Sequence, residues 1–170
     1  MKNMIVKSKE LIIMVGLPGS GKTTYINNVL LKSGKKYTIC STDDLIEAKA
    51  KELSIGYEEA FKLYSNKETE RAFKEMIWSA IDNGDNIIID RTNLTLKGRA
   101  KMISYFDQRK ANDYIKKAVL FDMGDINKIR AQCRQRELLT GKHISDVNFV
   151  SMILRYEPPT MNEFDEIIII

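Results

Sequence analysis

The sequence predicts a doubly wound α/β domain, about five parallel strands with helices on both faces. Two observations carry that expectation. Short apolar runs recur at Leu11–Val15, Ile87–Ile89, Ala118–Phe121 and Ile167–Ile170, with Tyr37–Cys40 a weaker member. Such unbroken runs suit strands buried on both faces, as in parallel sheets. Between them, apolar residues return at helical spacing, and alternation of strand and helix generates a parallel sheet.

The first run ends at Gly16, where a glycine-rich loop opens, and a helix starts near Lys22. The second ends in Ser41-Thr42-Asp43-Asp44, ahead of a helix through Leu45 to Leu53. Phe61, Ala72, Phe73, Met76, Ile77, Ala80 and Ile81 recur at three- and four-residue steps, with Trp78 in the same stripe, and Asn83-Gly84 provides a stop. The spacing predicts one amphipathic helix that feeds directly into Asn86–Asp90. After the fourth run comes a helix with Arg130, Arg134 and Arg136, then a Gly-containing loop, Leu139 to His143, of lid character. Met102, Met123, Met152 and Met161 read as packing.

Composition bounds the function. With 170 residues, 44% apolar, the chain is one domain, 1–170, with a lid at about 130–145. The 27 basic and 23 acidic residues leave a charge of +4, which permits an anionic partner without demanding one. No apolar run approaches the roughly 18 residues of a membrane span, and the start MKNMIVKSKE has no leader-type core. Cys40 and Cys133 stand isolated, outside any disulfide or zinc pattern, so a cytoplasmic location and no membrane partner are expected.

Gly16-Leu17-Pro18-Gly19-Ser20-Gly21-Lys22-Thr23 matches G-x-x-x-x-G-K-[ST], the P-loop pattern. Its glycines let successive N–H groups converge on one anion, Lys22 adds a point charge, and Thr23 can join a Mg²⁺ shell. Gly16, Pro18, Gly19, Ser20, Gly21, Lys22, Thr23 and Thr24 are therefore the expected nucleotide-binding residues. The guanine-reading motif N-K-x-D is not completed at Asn66-Lys67-Glu68-Thr69, which argues against a GTPase.

Three clusters point to phosphoryl transfer. Asp43 and Asp44 follow a strand at the ligand-binding edge of the sheet, where a carboxylate can accept the proton of an attacking hydroxyl. The alternative for this pair is helix capping. Asp90 ends the Ile-rich strand, where an acid beside a P-loop meets Mg²⁺ or its waters. Thr92, Asn93 and Thr95 fit either a site or a turn. Arg130 and Arg134 share a helix face at i, i+4, and a planar guanidinium suits a transferring phosphate; a solvated face is the alternative.

Taken together, GLPGSGKTT, STDD, IIIDRTNLTLKGR, RAQCRQRE and RYEPPTMNEFDEI stand in the order of the polynucleotide kinase family of P-loop phosphotransferases. The chain resembles that family from about residue 11 to 170. The resemblance implies sheet order 2-3-1-4-5, with ATP and Mg²⁺ as cofactors. It makes Asp43 the general base, places Lys22 and Thr23 on the ATP phosphates and Mg²⁺, and makes Arg134 the lid arginine. Arg130 would lie near the nucleotide, and Asn93 and Arg99 near the P-loop or acceptor groove. The implied substrate is a 5′-hydroxyl end of RNA or DNA. One position departs: the family commonly has an Arg three residues beyond the base, where Ile46 stands here. A small-molecule kinase of the same fold, acting on a sugar, nucleoside or antibiotic hydroxyl, and a non-catalytic ATP-binding protein are the rival readings.

Overall fold

The computed structural model describes residues 9–170; the leader-free start expected over residues 1–8 lies outside them. Five parallel strands, β1 (Lys9–Val15), β2 (Tyr37–Cys40), β3 (Asn86–Ile89), β4 (Tyr114–Leu120) and β5 (Glu166–Ile169), lie in the order β2-β3-β1-β4-β5. The central strand pairs Leu11 with Ile87 on one side and Ile13 with Ala118 on the other.

Because successive side chains of a strand face opposite ways, β1 feeds two cores. Leu11, Ile13 and Val15 pack with Phe73, Ile77, Met102 and Phe106. These come from α4 (Lys67–Asp82) and α5 (Leu96–Gln108). Ile12 and Met14 point the other way, onto Ile26, Leu30, Val119 and Phe121. Ile26 and Leu30 belong to the helix after the P-loop, which is α-helical over α1 (Lys22–Tyr25) and then widens into a π-helical turn over Ile26–Leu30. A smaller core, Leu17, Leu94, Ile129, Cys133 and Phe149, seats α6 (Ile126–Thr140) and α7 (Asp146–Leu154) against the P-loop.

The single helix expected to run from Phe61 to Ile81 is two. α3 (Tyr57–Tyr64) stops at Ser65, and Asn66 starts α4 by accepting bonds from the amides of Glu68 and Thr69. A side-chain cap that satisfies two otherwise orphan N–H groups outweighs continuity of the apolar spacing. Phe61 consequently leaves the buried stripe and is half exposed, while α3 docks Ala60 against Ile46 and Ala50 of α2 (Thr42–Leu53). β5 is likewise less buried than an Ile-only run suggests, with Ile169 and Ile170 exposed at the sheet edge. Met161, expected to pack, is exposed too.

Away from the ligand-binding edge, β1 buries an acid. Glu10 accepts bonds from Lys35 and Tyr37 and pairs with Lys117 at 3.1 Å. Burial works against its charged form, but these three partners bring its pKa down to about 2.

Candidate active site

The P-loop leaves β1 at Val15 and is held from below, where the Gly16 amide donates to the Thr92 carbonyl at 3.0 Å. Gly19 and Gly21 have φ of 79° and 97°, conformations that turn successive amides toward one point. Gly19 must also be small, because a Cβ there would lie 2.8 Å from Cys133 Sγ and 3.1 Å from the Ile129 carbonyl. α6 thus rests directly on the loop, and the Cys133 thiol donates to the Pro18 carbonyl.

Lys22 turns its ammonium back into the loop, donating to the carbonyls of Gly16 and Leu17 at 2.9 and 2.6 Å. Burial pushes its pKa down to about 8, against the upward pull of Asp90. Among the described residues, Ser20 Oγ and Arg136 Nε are buried without a hydrogen-bond partner. Buried polar atoms are normally paired, so this loop presents donors whose natural complement is an anion. Thr23 and Thr24 lie exposed along the same cleft.

Ser41, not the acids after it, caps α2: its hydroxyl accepts the Asp44 amide. The capping alternative for Asp43 and Asp44 is thereby taken up by a neighbour, and both carboxylates face the cleft. Asp43 is held on two sides, accepting from the Tyr57 hydroxyl at 3.1 Å and lying 3.6 Å from Lys142 Nζ. Lys142 also pairs with Glu47 and stands 4.9 Å above the Tyr57 ring. Partial burial and the nearby Glu47 push the Asp44 pKa up. Asp90 closes the group at the end of β3; burial raises its pKa while Lys22 lowers it. P-loop, Asp43, Asp44 and Asp90 share one cleft of about 1290 Å³.

The arginines separate. Arg130 binds Asp146 and the Ile144 carbonyl, while Arg134 is exposed and lies 3.5 Å from the same Asp146. Both lie outside the cleft lining, whereas Arg136 is part of it. Of the arginines on α6, it is thus Arg136, and not the expected Arg134, that lines the cleft, for a reason of helical phase. Arg99, expected near the P-loop or acceptor groove, is fully buried. It forms a bidentate pair with Glu163 at 2.7 and 3.0 Å and donates to the carbonyls of Asn93, Glu157 and Pro158. Its burial corrects the groove assignment: it ties the loop after β3 to the segment before β5. Asn93 is a bracing residue of that loop; it is buried, and its amide donates to Met14 O at 2.8 Å.

Two cleft residues, Tyr57 and Arg136, escape the sequence reading as site residues. Only Arg136 leaves a signal, in the phase of the helix that carries it. No three His, Cys, Asp or Glu side chains among the described residues converge into a metal cage. Nor is any described helix long and apolar enough to cross a membrane.

Comparison with known proteins agrees with this fold. Residues 11–159 match the AAA domain family. A protein of Acanthamoeba polyphaga mimivirus assigned as a bifunctional polynucleotide phosphatase/kinase is 31% identical over 108 residues, 64% of this chain and 19% of that one. The chain thus spans less than a fifth of the length of that relative. Among solved structures, a chain of the Pnkp1/Rnl/Hen1 RNA repair complex superposes with a TM-score of 0.65 at 22% identity, covering 91% of this chain and 46% of its own. A Chloroflexus aurantiacus protein assigned as a kinase gives 0.68 at 15% identity, covering 96% and 85%. The chain belongs to the AAA domain family, and over 108 residues it is similar to a polynucleotide phosphatase/kinase.

Proposed function

We propose that the chain is an ATP- and Mg²⁺-dependent kinase that transfers a γ-phosphoryl group to an alcohol, the 5′-hydroxyl end of RNA or DNA. One observation carries the reading. A carboxylate held in place by Tyr57, Asp43, faces the P-loop across a shared cleft, where an acceptor hydroxyl can lie between base and phosphate. The mimivirus relative, assigned as a polynucleotide phosphatase/kinase, supports the choice of acceptor.

The unpartnered Ser20 Oγ and Arg136 Nε fit a polyphosphate. Loop amides and Lys22 would hold its β- and γ-phosphates, and Arg136 would grip the transferring group with the planar fork that a lysine lacks. Mg²⁺ in such enzymes is held by one or two side chains together with the phosphates. Thr23 and Asp90 are such a pair, and the ion would offset the charge on the phosphate oxygens. In the transfer, the acceptor oxygen gives its proton to Asp43 and bonds to the γ-phosphorus as the bond to ADP breaks.

The test is transfer of labelled γ-phosphate to a panel of 5′-hydroxyl oligonucleotides, nucleosides and sugars. Labelling of the 5′-hydroxyl acceptors is the expected result. Labelling of sugars alone would move the assignment to a small-molecule kinase, and labelling of nothing would leave an ATP-binding protein.

A further inference from the structure

The wall of the cleft opposite the P-loop is built by α2 and α3, and its chemistry is not that of a phosphate-binding groove. Tyr57 and Phe61, one helical turn apart on α3, both face the cleft with ring centroids 6.1 Å apart and planes 30° from parallel. Tyr57 is engaged: its hydroxyl holds Asp43, and the Lys142 ammonium stands over its ring. Phe61 has no such duty. Its side chain is 44% exposed, so a large apolar face lies open in the cleft next to the residue that orients the proposed base.

The charges on this wall are the wrong sign for a strand of phosphates. Asp43, Asp44, Glu47 and Glu58 line it, against Lys142, which is already paired with Asp43 and Glu47. Ile46, where a cation is usual in the resembling family, is buried. Of the cations that the sequence offers for a backbone track, Lys97, Arg99, Lys101 and Lys142, the last three are paired with Glu163, Glu70 and Glu47, and Lys97 lies outside the cleft lining. Apart from Lys22, which turns into the P-loop, Lys67 at the start of α4 is the cleft lysine with no ion-pair partner among the described residues.

We propose that the acceptor is recognised by its terminal nucleoside, whose base stacks on Phe61 while its 5′-hydroxyl meets Asp43, with Lys67 providing at most one phosphate contact. This rests on the kinase reading above. A base has a π-face and no charge, so it can approach a carboxylate-rich wall that repels a polyanion, and stacking accepts any base.

The experiment measures acceptor KM and kcat at saturating ATP and fixed Mg²⁺ for the full chain and for Phe61→Ala, Phe61→Trp and Tyr57→Phe. The acceptors are a 5′-hydroxyl dinucleotide, a decanucleotide, and the same decanucleotide with an abasic 5′-terminal sugar. Phe61→Ala should raise KM for base-bearing acceptors about five- to a hundred-fold, the usual worth of one stacked base, and Phe61→Trp should restore it. The abasic end should raise KM as much in the unmodified protein and erase the difference between it and Phe61→Ala. Tyr57→Phe should lower kcat instead. The KM values of dinucleotide and decanucleotide should agree within a few-fold, with a logarithmic salt slope no steeper than about −0.7.

An unchanged KM in Phe61→Ala, with a melting curve like that of the parent, would overturn the stacking site while the kinase assignment stands. A KM that falls steeply with acceptor length and rises steeply with salt would overturn the absence of a phosphate track. Failure of the unmodified protein to label any 5′-hydroxyl acceptor, with sugars labelled, would defeat the kinase reading first and this inference with it.

Discussion

Raising the pH from 7 to 9 should weaken ATP binding through Lys22. Its ammonium is buried under the loop; burial brings its pKa to about 8, although Asp90 and Asp43 pull it up. In the free protein at pH 7 about nine-tenths of the molecules carry the charge, and at pH 9 about one-tenth. The phosphates of ATP favour the charged form, so the bound state stays protonated across this range. Binding at pH 9 must then draw close to one proton from solution, and at pH 7 about a tenth of one. Apparent affinity should fall about tenfold between the two, a cost of about 1.4 kcal/mol. Calorimetric titration with a non-hydrolysable ATP analogue and Mg²⁺, in two buffers of different ionisation heat, reads the proton count directly. Lys22→Met should bind more weakly at both pH values and lose the extra proton uptake at pH 9. Equal uptake at pH 7 and pH 9 in the parent protein would refute the depressed pKa and the tucked-in ammonium behind it.

Asp43→Asn should keep analogue binding and lower kcat by about 10² to 10⁴, the usual worth of a positioned base; Asp44→Asn should cost less, and the reverse order would make Asp44 the base. Arg136→Ala and Arg136→Lys should both depress kcat strongly while Arg134→Ala stays near the parent rate, as measured by steady-state kinetics. Arg99→Met leaves Glu163 buried without its partner and should cost about 3–5 kcal/mol in a denaturant titration, with kcat of the folded fraction retained. Glu10 sits at about 2 in the fold against an ordinary 4.5, so its charge stabilises the protein above pH 4.5 and that contribution is lost as pH falls toward 2. Its size is roughly 3 kcal/mol, and Glu10→Gln should remove that much of the fall in unfolding free energy between pH 4.5 and 2, read by denaturant titration.

What the sequence makes legible follows from how local the determining physics is. The P-loop and the carboxylates at the strand ends are legible because loop, cap and strand termini are set within a few residues. The acidic pair after β2 is where the pattern puts it, and Ser41 takes the capping role because a hydroxyl at the first non-helical position reaches the Asp44 amide. Sheet order is not local; it came from family resemblance and agrees with the observed β2-β3-β1-β4-β5. The α3–α4 break is hidden because the apolar spacing runs straight through a two-bond Asn66 cap. Arg99 is misread for a deeper reason. A guanidinium looks the same in sequence whether it grips a substrate or a buried carboxylate, and Glu163, 64 residues away, decides which.

Which arginine of α6 lines the cleft is legible in the phase of the helix. Arg130 and Arg134 do share a face of α6, but it turns toward α7, where Asp146 binds them both. The face that meets the P-loop is marked by the helix's buried residues, Ile129 and Cys133, spaced i, i+4. Cys133 lies against Gly19 and donates to Pro18 O, which fixes the rotation of the helix over the loop. At 100° per residue, Arg136 lies three positions beyond Cys133 and continues that stripe, while Arg134 is turned away from it. A charged residue that prolongs an apolar stripe points into the protein, and the cost of burying it is recovered only if something there complements it. Arg136 Nε is unpartnered among the described residues, and the Arg136 charge helps to push the Lys22 pKa down, so the polyphosphate of the proposed reaction is the complement that fits both.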